Sequence, residues 1–337
     1  MLVTCAGILV VDIIAAHLPK VSDPGELVYA PKGIEMHNGG HASNVSIDLR
    51  KLRVPEGEVS SVGAVGEDVF GDYLKNVLES HGIVVHLEKI ADANTSIDLI
   101  LVVSGEDRRF HVDVGANWYL KPEHVSSILK KEKPLIFYVG GVGLTGRLDE
   151  GLAKILETAK HLGCITFIDP VTPYNRGWDF IISPMKWTDI FHCNRNEAKS
   201  ITGKANPQEA AKVLTDKGAK LVIISLGEKG LIAKTRDAFF EMPAFKVPVI
   251  DPTGAGDALC AGIIKGLLEA TERKRCELTK LSSDELAQIL LKGQAAGAAC
   301  VTKVGTSTAV TEENVNKILE EQGEQILKTH VKIKHLR

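Results

Sequence analysis

From Leu135 onward the chain alternates short, largely apolar segments with amphipathic ones, and this rhythm restricts the possible folds more than any other feature. The runs Leu135–Val139, Cys164–Ile168, Asp189–Cys193 and Leu221–Ser225 have the length of strands. Between them, Leu148–His161, Asn196–Thr202 and Pro207–Lys217 space their apolar residues with a helical period. Strands alternating with helices predict a parallel sheet, and strands lacking a polar face predict helices on both sides of it. The expected class is therefore α/β, with a mostly parallel central sheet covered by helices on both faces. Two late helices are expected at Ala258–Ala270 and Ser283–Cys300, the first apolar nearly all round and hence buried.

The earlier chain is less regular. Leu2–Val11 reads as a first buried strand ending at Asp12. A proline-rich stretch follows, with a β-compatible piece at Leu27–Ala30. A helix is expected over Ala42–Leu52, a strand over Ser60–Val65 and a helix over Val69–Ser80. Ile97–Val103 and Arg108–Val114 read as a hairpin joined by Ser104-Gly105-Glu106-Asp107. Its second arm sets Arg108, Phe110, Val112 and Val114 on one face and Arg109, His111 and Asp113 on the other. A strand with one polar face need not belong to the main sheet.

Composition narrows the function classes. With 44% hydrophobic and 25% charged residues, the 337-residue chain can bury a sizeable core and carries no sign of disorder. A formal net charge of −3 leaves no basic footprint for nucleic acid. Cys5, Cys164, Cys193, Cys260, Cys276 and Cys300 form no CxxC pair, which favours buried free thiols over disulfides or zinc. Leu2–Ala16 lacks the basic start of a signal peptide, and no run reaches the roughly 18 apolar residues of a membrane span. A cytoplasmic protein without membrane contact is expected, and Lys328–Arg337 reads as a solvated basic tail.

Four segments could carry chemistry. Asp251-Pro252-Thr253-Gly254-Ala255-Gly256-Asp257 leads into the apolar helix; its glycines permit a tight turn, and the N–H groups of a helix start suit an anion. Asp257 stands where it could take a proton from an attacking hydroxyl; the plain alternative is an Asp capping a glycine turn. Asn38-Gly39-Gly40-His41-Ala42-Ser43-Asn44 opens another helix, with Asn44 able to bind a polyol or, equally, Ser43 or Asn44 acting as a cap. Asn194-Arg195-Asn196-Glu197 could order waters around Mg²⁺ or form a capping box. Gly141-Val142-Gly143-Leu144-Thr145-Gly146, followed by a strand ending at Asp169, has the layout of a dinucleotide fingerprint.

Taken together these clusters resemble the ribokinase-like (PfkB) family of carbohydrate and nucleoside kinases. The amino-side signature, Gly-Gly with Asn four residues on, is matched by Gly40 and Asn44 and continues through Gly63, Gly66, Asp68 and Gly71. The carboxyl-side signature is matched from Asp251 to Asp257. The Asn-x-x-Glu motif falls on Asn194 and Glu197, and Ser225-Leu226-Gly227-Glu228-Lys229-Gly230 looks like the nucleotide-binding strand end. The resemblance spans nearly the whole chain and demotes the Gly141 run to an ordinary turn. His41, Val171, the turn Pro55-Glu56-Gly57-Glu58 and the charged Thr271–Ser282 depart from the family pattern.

The resemblance implies a large α/β domain over 1–12, 38–92 and 117–337, and a small β-sheet lid over 13–37 and 93–116. It implies ATP-dependent transfer of the γ-phosphoryl group to a hydroxyl of a sugar or sugar-like molecule, with Mg²⁺. Asp257 would be the base and Gly254, Ala255 and Gly256 the anion hole. Asp12, Gly39, Gly40, Asn44 and Asn117 would hold the substrate, and Asn194, Ser225, Gly227 and Gly230 the nucleotide. Glu197 would act on Mg²⁺ through water. Some members bind K⁺, here at Asp251, Thr253 and Gly305, and a homodimer through the lid is allowed. The rival readings are a nucleoside kinase, with Phe110, Trp118 or Tyr119 against the base, an NAD-dependent oxidoreductase built on the Gly141 run, and a catalytically silent sugar-binding regulator.

Overall fold

A computed structural model describes residues 1–106, 108–272, 274, 275, 277–330 and 332–335. The order is β1 (Val3–Gly7), β2 (Val10–Leu18), β3 (Glu35–Gly39), α1 (His41–Lys51), β4 (Val59–Gly66), α2 (Val69–Ser80), β5 (Val84–Ile90), β6 (Ile97–Val103) and β7 (Arg109–Asp113). There follow α3 (Pro122–Glu132), β8 (Ile136–Val142), α4 (Arg147–His161), β9 (Ile165–Pro170), β10 (Ile190–Asn194), α5 (Arg195–Thr202), α6 (Pro207–Asp216) and β11 (Leu221–Ser225). The chain closes with β12 (Leu231–Thr235), β13 (Ala238–Met242), α7 (Ala255–Ala270), α8 (Ser283–Cys300), α9 (Glu312–Ile318) and β14 (Lys332–His335).

Ten strands form one sheet in the order β14-β13-β12-β11-β10-β9-β8-β1-β4-β5. It is parallel from β11 to β5 and antiparallel beyond β11. Alternate residues of each strand serve opposite faces. Leu221 and Ile223 pack with α1, α7, α8 and α9, whereas Val222 and Ile224 pack with α3, α4, α5 and α6. Both faces are thus covered, as the apolar strands require. No helix among the described residues is long and apolar enough to cross a membrane.

A separate four-stranded sheet, in the order β3-β2-β6-β7, stands apart from the main one. It contains the expected hairpin, registered Ile97 to Asp113 and Leu101 to Arg109. The turn residue Asp107 lies outside the described residues. Two expectations are corrected here. The run Leu2–Val11 is not one strand: the chain breaks after Gly7, whose φ of 135° a side chain would resist and whose missing Cβ leaves room for the Gly140 carbonyl. Asp12 therefore lies in the small sheet, in β2, not at the end of a main-sheet strand. Leu27–Ala30, between Pro24 and Pro31, forms no strand.

The carboxyl terminus is also corrected, because β14 pairs with β13 and extends the main sheet, where a solvated tail was expected. Val331, Leu336 and Arg337 lie outside the described residues. Cys5, Cys164, Cys193, Cys260 and Cys300 are free and buried; Cys276 lies outside the described residues. The buried helix α7 is pressed against α8 at glycines. A Cβ on Gly262 would come within 2.8 Å of Gly293 Cα and of Ala296 Cβ.

Candidate active site

The turn before α7 is built for close backbone approach. Gly254 has φ 80°, and a Cβ on it would fall 2.6 Å from the Thr306 carbonyl oxygen, so only glycine fits. No side chain caps α7. Asp257 is buried in its first turn and does not serve as the cap that the simpler reading required. Its Oδ2 instead accepts a hydrogen bond from Asn44 Nδ2 at 2.8 Å, and His41 Nε2 stands 3.9 Å from its Oδ1. Burial raises the Asp257 pKa above the usual carboxylate value and Asp169 adds to this, against the opposing pull of His41, Asn44 and His192. At Gly256 a Cβ would meet only His192 Cε1, at 3.4 Å.

The Asn38–Asn44 cluster sits opposite. Gly40 is the uncapped start of α1 at φ 85°, with the Ile8 carbonyl where a side chain would go. Gly39 gives its space to the Asp12 carboxylate. Ser43 and Asn44 are not caps. Asn44 Oδ1 accepts from Asn38 Nδ2 at 3.1 Å and from Thr306 Oγ1 at 2.9 Å, so two donors hold Asn44 while it holds Asp257. Asp12 is buried beside Asp98, its register partner in β6. Burial first, then Asp98, Asp257 and Asp251, push its pKa up to about 8.

At the ends of β9, β10 and β11 a third group converges. Asp169 Oδ1 lies 2.8 Å from His192 Nδ1, and its Oδ2 accepts from Tyr138 Oη at 2.9 Å and from Cys260 Sγ at 3.3 Å. His192 Nε2 in turn meets Ser225 Oγ at 3.2 Å. Burial opposes charge on both partners, but their mutual attraction prevails, lowering the Asp169 pKa and raising that of His192. Asp169, His192 and Cys260 could also cluster around a metal, yet their polar atoms already satisfy one another. Asn194 and Glu197 form a complete capping box on α5, with Glu197 Oε2 accepting from Asn194 N–H at 2.8 Å. The Glu197 pKa is raised by burial and by Asp169.

These groups share one cavity of about 690 Å³. Its polar floor includes Asp12, Gly40, His41, Asn44, Asp98, Asp169, His192, Asn194, Glu197, Ser225, Gly254, Gly256 and Asp257. Phe110 and Val112 from β7, and Val114 just after it, form an apolar wall with Leu144, Pro173 and Tyr174. Asn117 does not line it and is corrected from a substrate ligand to a strut: its amide accepts from Leu9 N–H at 3.0 Å and donates to the Leu9 carbonyl at 2.9 Å. Trp118 and Tyr119 line a neighbouring cavity of about 580 Å³. Gly227, at φ 61°, faces open space, whereas Gly230 is required locally by the Met242 carbonyl. The loop residues Asp251 and Gly305 are joined by a 3.2 Å hydrogen bond from Gly305 N–H to Asp251 Oδ2, and Thr253 donates to Asp251 from both N–H and hydroxyl.

Sequence reasoning missed where His41, Asp98, Arg108 and the Asp169–His192 pair lie and what they contact. A charged residue inside the apolar run Ile97–Val103 was a signal for Asp98; for His41 the signal was only its departure from pattern. The Gly141 run is not a nucleotide loop. The Gly143 N–H that would meet a phosphate donates instead to both Asp149 carboxylate oxygens, at 3.1 Å each, and Arg176 and the Thr145 hydroxyl close the same carboxylate. Asp169, which would bind a ribose there, is spent on His192 and Tyr138.

Comparison with known proteins identifies the family. The model of the pfkB family carbohydrate kinases matches residues 2–313. The aminoimidazole riboside kinase of Salmonella typhimurium is 29% identical over 283 residues, covering 81% of this chain and 84% of its own. The structure of ribokinase from Giardia lamblia superposes with a TM-score of 0.82 at 21% identity, covering 95% of this chain and 98% of its own. A putative ribokinase II from E. coli in complex with ATP and Mg²⁺ gives a TM-score of 0.75 at 20% identity, over 95% and 99% of the two chains. The chain belongs to the pfkB family of carbohydrate kinases, with a ribokinase-like fold, and is an ATP-dependent phosphotransferase acting on an alcohol group of a sugar.

Proposed function

We propose that the sugar lies between Asn44, Asp12 and Asp98, with its reacting hydroxyl against Asp257, and that the phosphates of ATP rest on the Gly254-Ala255-Gly256 turn. The observation that carries this reading is the buried Asp257 carboxylate, which caps nothing and faces the cavity from the start of α7. The hydroxyl oxygen forms a bond to the γ-phosphorus, the bond from that phosphorus to the ADP oxygen breaks, and the hydroxyl proton passes to Asp257. Asn44 fixes the carboxylate so that one oxygen remains directed at the hydroxyl. The uncapped N–H groups of the first turn of α7 stabilise the charge on the transferring group.

Asn194, Ser225, Gly227 and Gly230 are the proposed nucleotide contacts, of which Asn194 and Ser225 face the cavity. Glu197 offers the hard oxygen donor that Mg²⁺ prefers, and its remaining oxygen would hold the ion's waters. Bound there, Mg²⁺ supplies charge neutralisation to the phosphates. The apolar wall of Phe110, Val112, Val114, Leu144 and Tyr174 favours, as a second reading, a substrate carrying a planar group on the sugar, that is, a riboside. An ADP-release assay across free pentoses, free hexoses and ribosides tests both readings. Turnover of free sugars alone rejects the riboside, and turnover undiminished in Asp257→Asn rejects the assigned base.

A homodimer through the small sheet is also proposed. Leu27, Tyr29, Ile34, Met36 and Leu99 are exposed on or beside this sheet, and a second copy would cover an apolar surface of this kind. Sedimentation of the native chain against Tyr29→Glu tests it, with a monomer in both cases as the adverse result.

A further inference from the structure

Arg108 immediately precedes β7 and reaches out of the small sheet to the loop that leads into the reacting turn. Its Nη1 lies 3.4 Å from Asp251 Oδ1 and also donates to the Thr253 hydroxyl. Asp251 Oδ1 therefore receives the Thr253 N–H at 2.9 Å, the Thr253 hydroxyl at 2.6 Å and the guanidinium, while Oδ2 receives Gly305 N–H at 3.2 Å. Each carboxylate oxygen offers about two acceptor sites, so Oδ1 is fully subscribed with the guanidinium among its donors. A K⁺ ion on Asp251, Thr253 and Gly305 would have to expel Arg108, and the residues present do not fit both. The guanidinium also lies 5.4 Å from the centroid of the Phe110 ring, which lines the substrate cavity.

We propose that Arg108 is a positioning residue, which fixes the Asp251–Thr253 loop in place of a free monovalent cation and makes phosphoryl transfer by this chain independent of K⁺. Five further carboxylates line the adjoining cavity, Asp12, Asp98 and Asp257 among them. A fixed positive charge beside Asp251 offsets their mutual repulsion without an ion that must bind from solution. Thr253 adjoins Gly254, so whatever holds Thr253 also sets the direction of the first N–H groups of α7. Because Arg108 is carried by the small sheet, the loop is fully held only when that sheet is closed over the cavity.

The inference rests on the reading of Gly254–Asp257 as the reacting turn. The test compares native protein, Arg108→Lys and Arg108→Gln in K⁺ buffer and in tetramethylammonium buffer, recording kcat, KM for ATP and melting temperature. The native rate is expected to be the same in both buffers. Arg108→Gln should lose about 10²-fold in kcat without K⁺, the scale of a misplaced catalytic geometry, and recover part of it with K⁺. K⁺ should raise the melting temperature of Arg108→Gln alone, and Arg108→Lys should retain most of the K⁺-free rate. Loss of packing alone would lower both variants alike and respond to no cation, which would overturn the proposal. Activation of the native protein by K⁺ would also overturn it. A normal rate in Asp257→Asn would instead indict the assignment of the turn, so the two failures are distinguishable.

Discussion

Asn44 donates its side-chain amide to the Asp257 carboxylate across 213 residues of sequence, joining the start of α1 to the start of α7. The proposed substrate-binding helix and the proposed catalytic helix thus share one hydrogen bond. Removing the charge while keeping the shape separates chemistry from scaffold. Asp257→Asn should lower turnover by about 10²–10⁴, the usual contribution of a general base. Its melting temperature should not fall, because Asp257 caps no helix and is costly to bury charged. Parallel rate and melting measurements decide this, and a large drop in stability would point to a structural role.

His41 pulls the Asp257 pKa downward. A base must be ionised to work, so activity should rise with pH through the Asp257 pKa. His41→Gln removes that downward pull, while Asp169 continues to raise the value. The acid limb of the kcat profile should therefore move to higher pH. An unmoved limb would show that the 3.9 Å pair carries no electrostatic weight.

Asp12 bears on stability in the opposite sense to an ordinary ion pair. Its pKa rises from 3.8 to about 8 on folding, so the folded state binds the proton more tightly. The stability contributed is fully present below the unfolded value and is lost as pH rises towards the folded one. Asp12→Asn should accordingly melt higher than the native protein at neutral pH, with the difference vanishing in acid. Substrate affinity should fall in the same variant, which calorimetry would record.

Asp149 occupies the anion position of the Gly141–Gly146 turn. Asp149→Ala should cost about 1–3 kcal/mol by orphaning the Gly143 N–H, apart from the loss at Arg176. The native chain should show no NAD binding by titration calorimetry. Gly143 itself is a poor probe, since at φ 114° an added Cβ would fall 2.6 Å from the Val171 carbonyl.

The small sheet should gain order when substrate arrives. All five residues of β7 are exposed, and so little burial lets a segment open at low cost. Amides of Ile97–Val103 and Arg109–Asp113 should exchange more slowly with sugar and nucleotide bound. Unchanged exchange would mean that these strands do not act as a lid.

What could be read from the sequence was local. The alternating strands and helices after Leu135, the hairpin, the glycine turn at Gly254 and the Gly39-Gly40 start of α1 all follow from residues close together in the chain. The break after Gly7 was hidden because its cause, the Gly140 carbonyl, belongs to another strand. Arg108 was legible as a hairpin residue but not as a partner of Asp251, 143 residues away. Asn117 failed for a related reason: an Asn beside a cavity is indistinguishable in sequence from one bonded to a neighbouring backbone. At Asn194–Glu197 the structure shows the capping box, and Glu197 also faces the cavity, where its part in holding Mg²⁺ is the proposal.

The glycine contact between α7 and α8 has a consequence for how such an enzyme can change. With Gly262 against Gly293, the helix bearing Asp257 has no slack to shift or to accept larger residues. Adaptation to a new acceptor is therefore cheapest on β7, where Phe110 and Val112 face the cavity and remain exposed. Libraries confined to β7 should therefore alter the acceptor range while leaving the proposed catalytic turn intact.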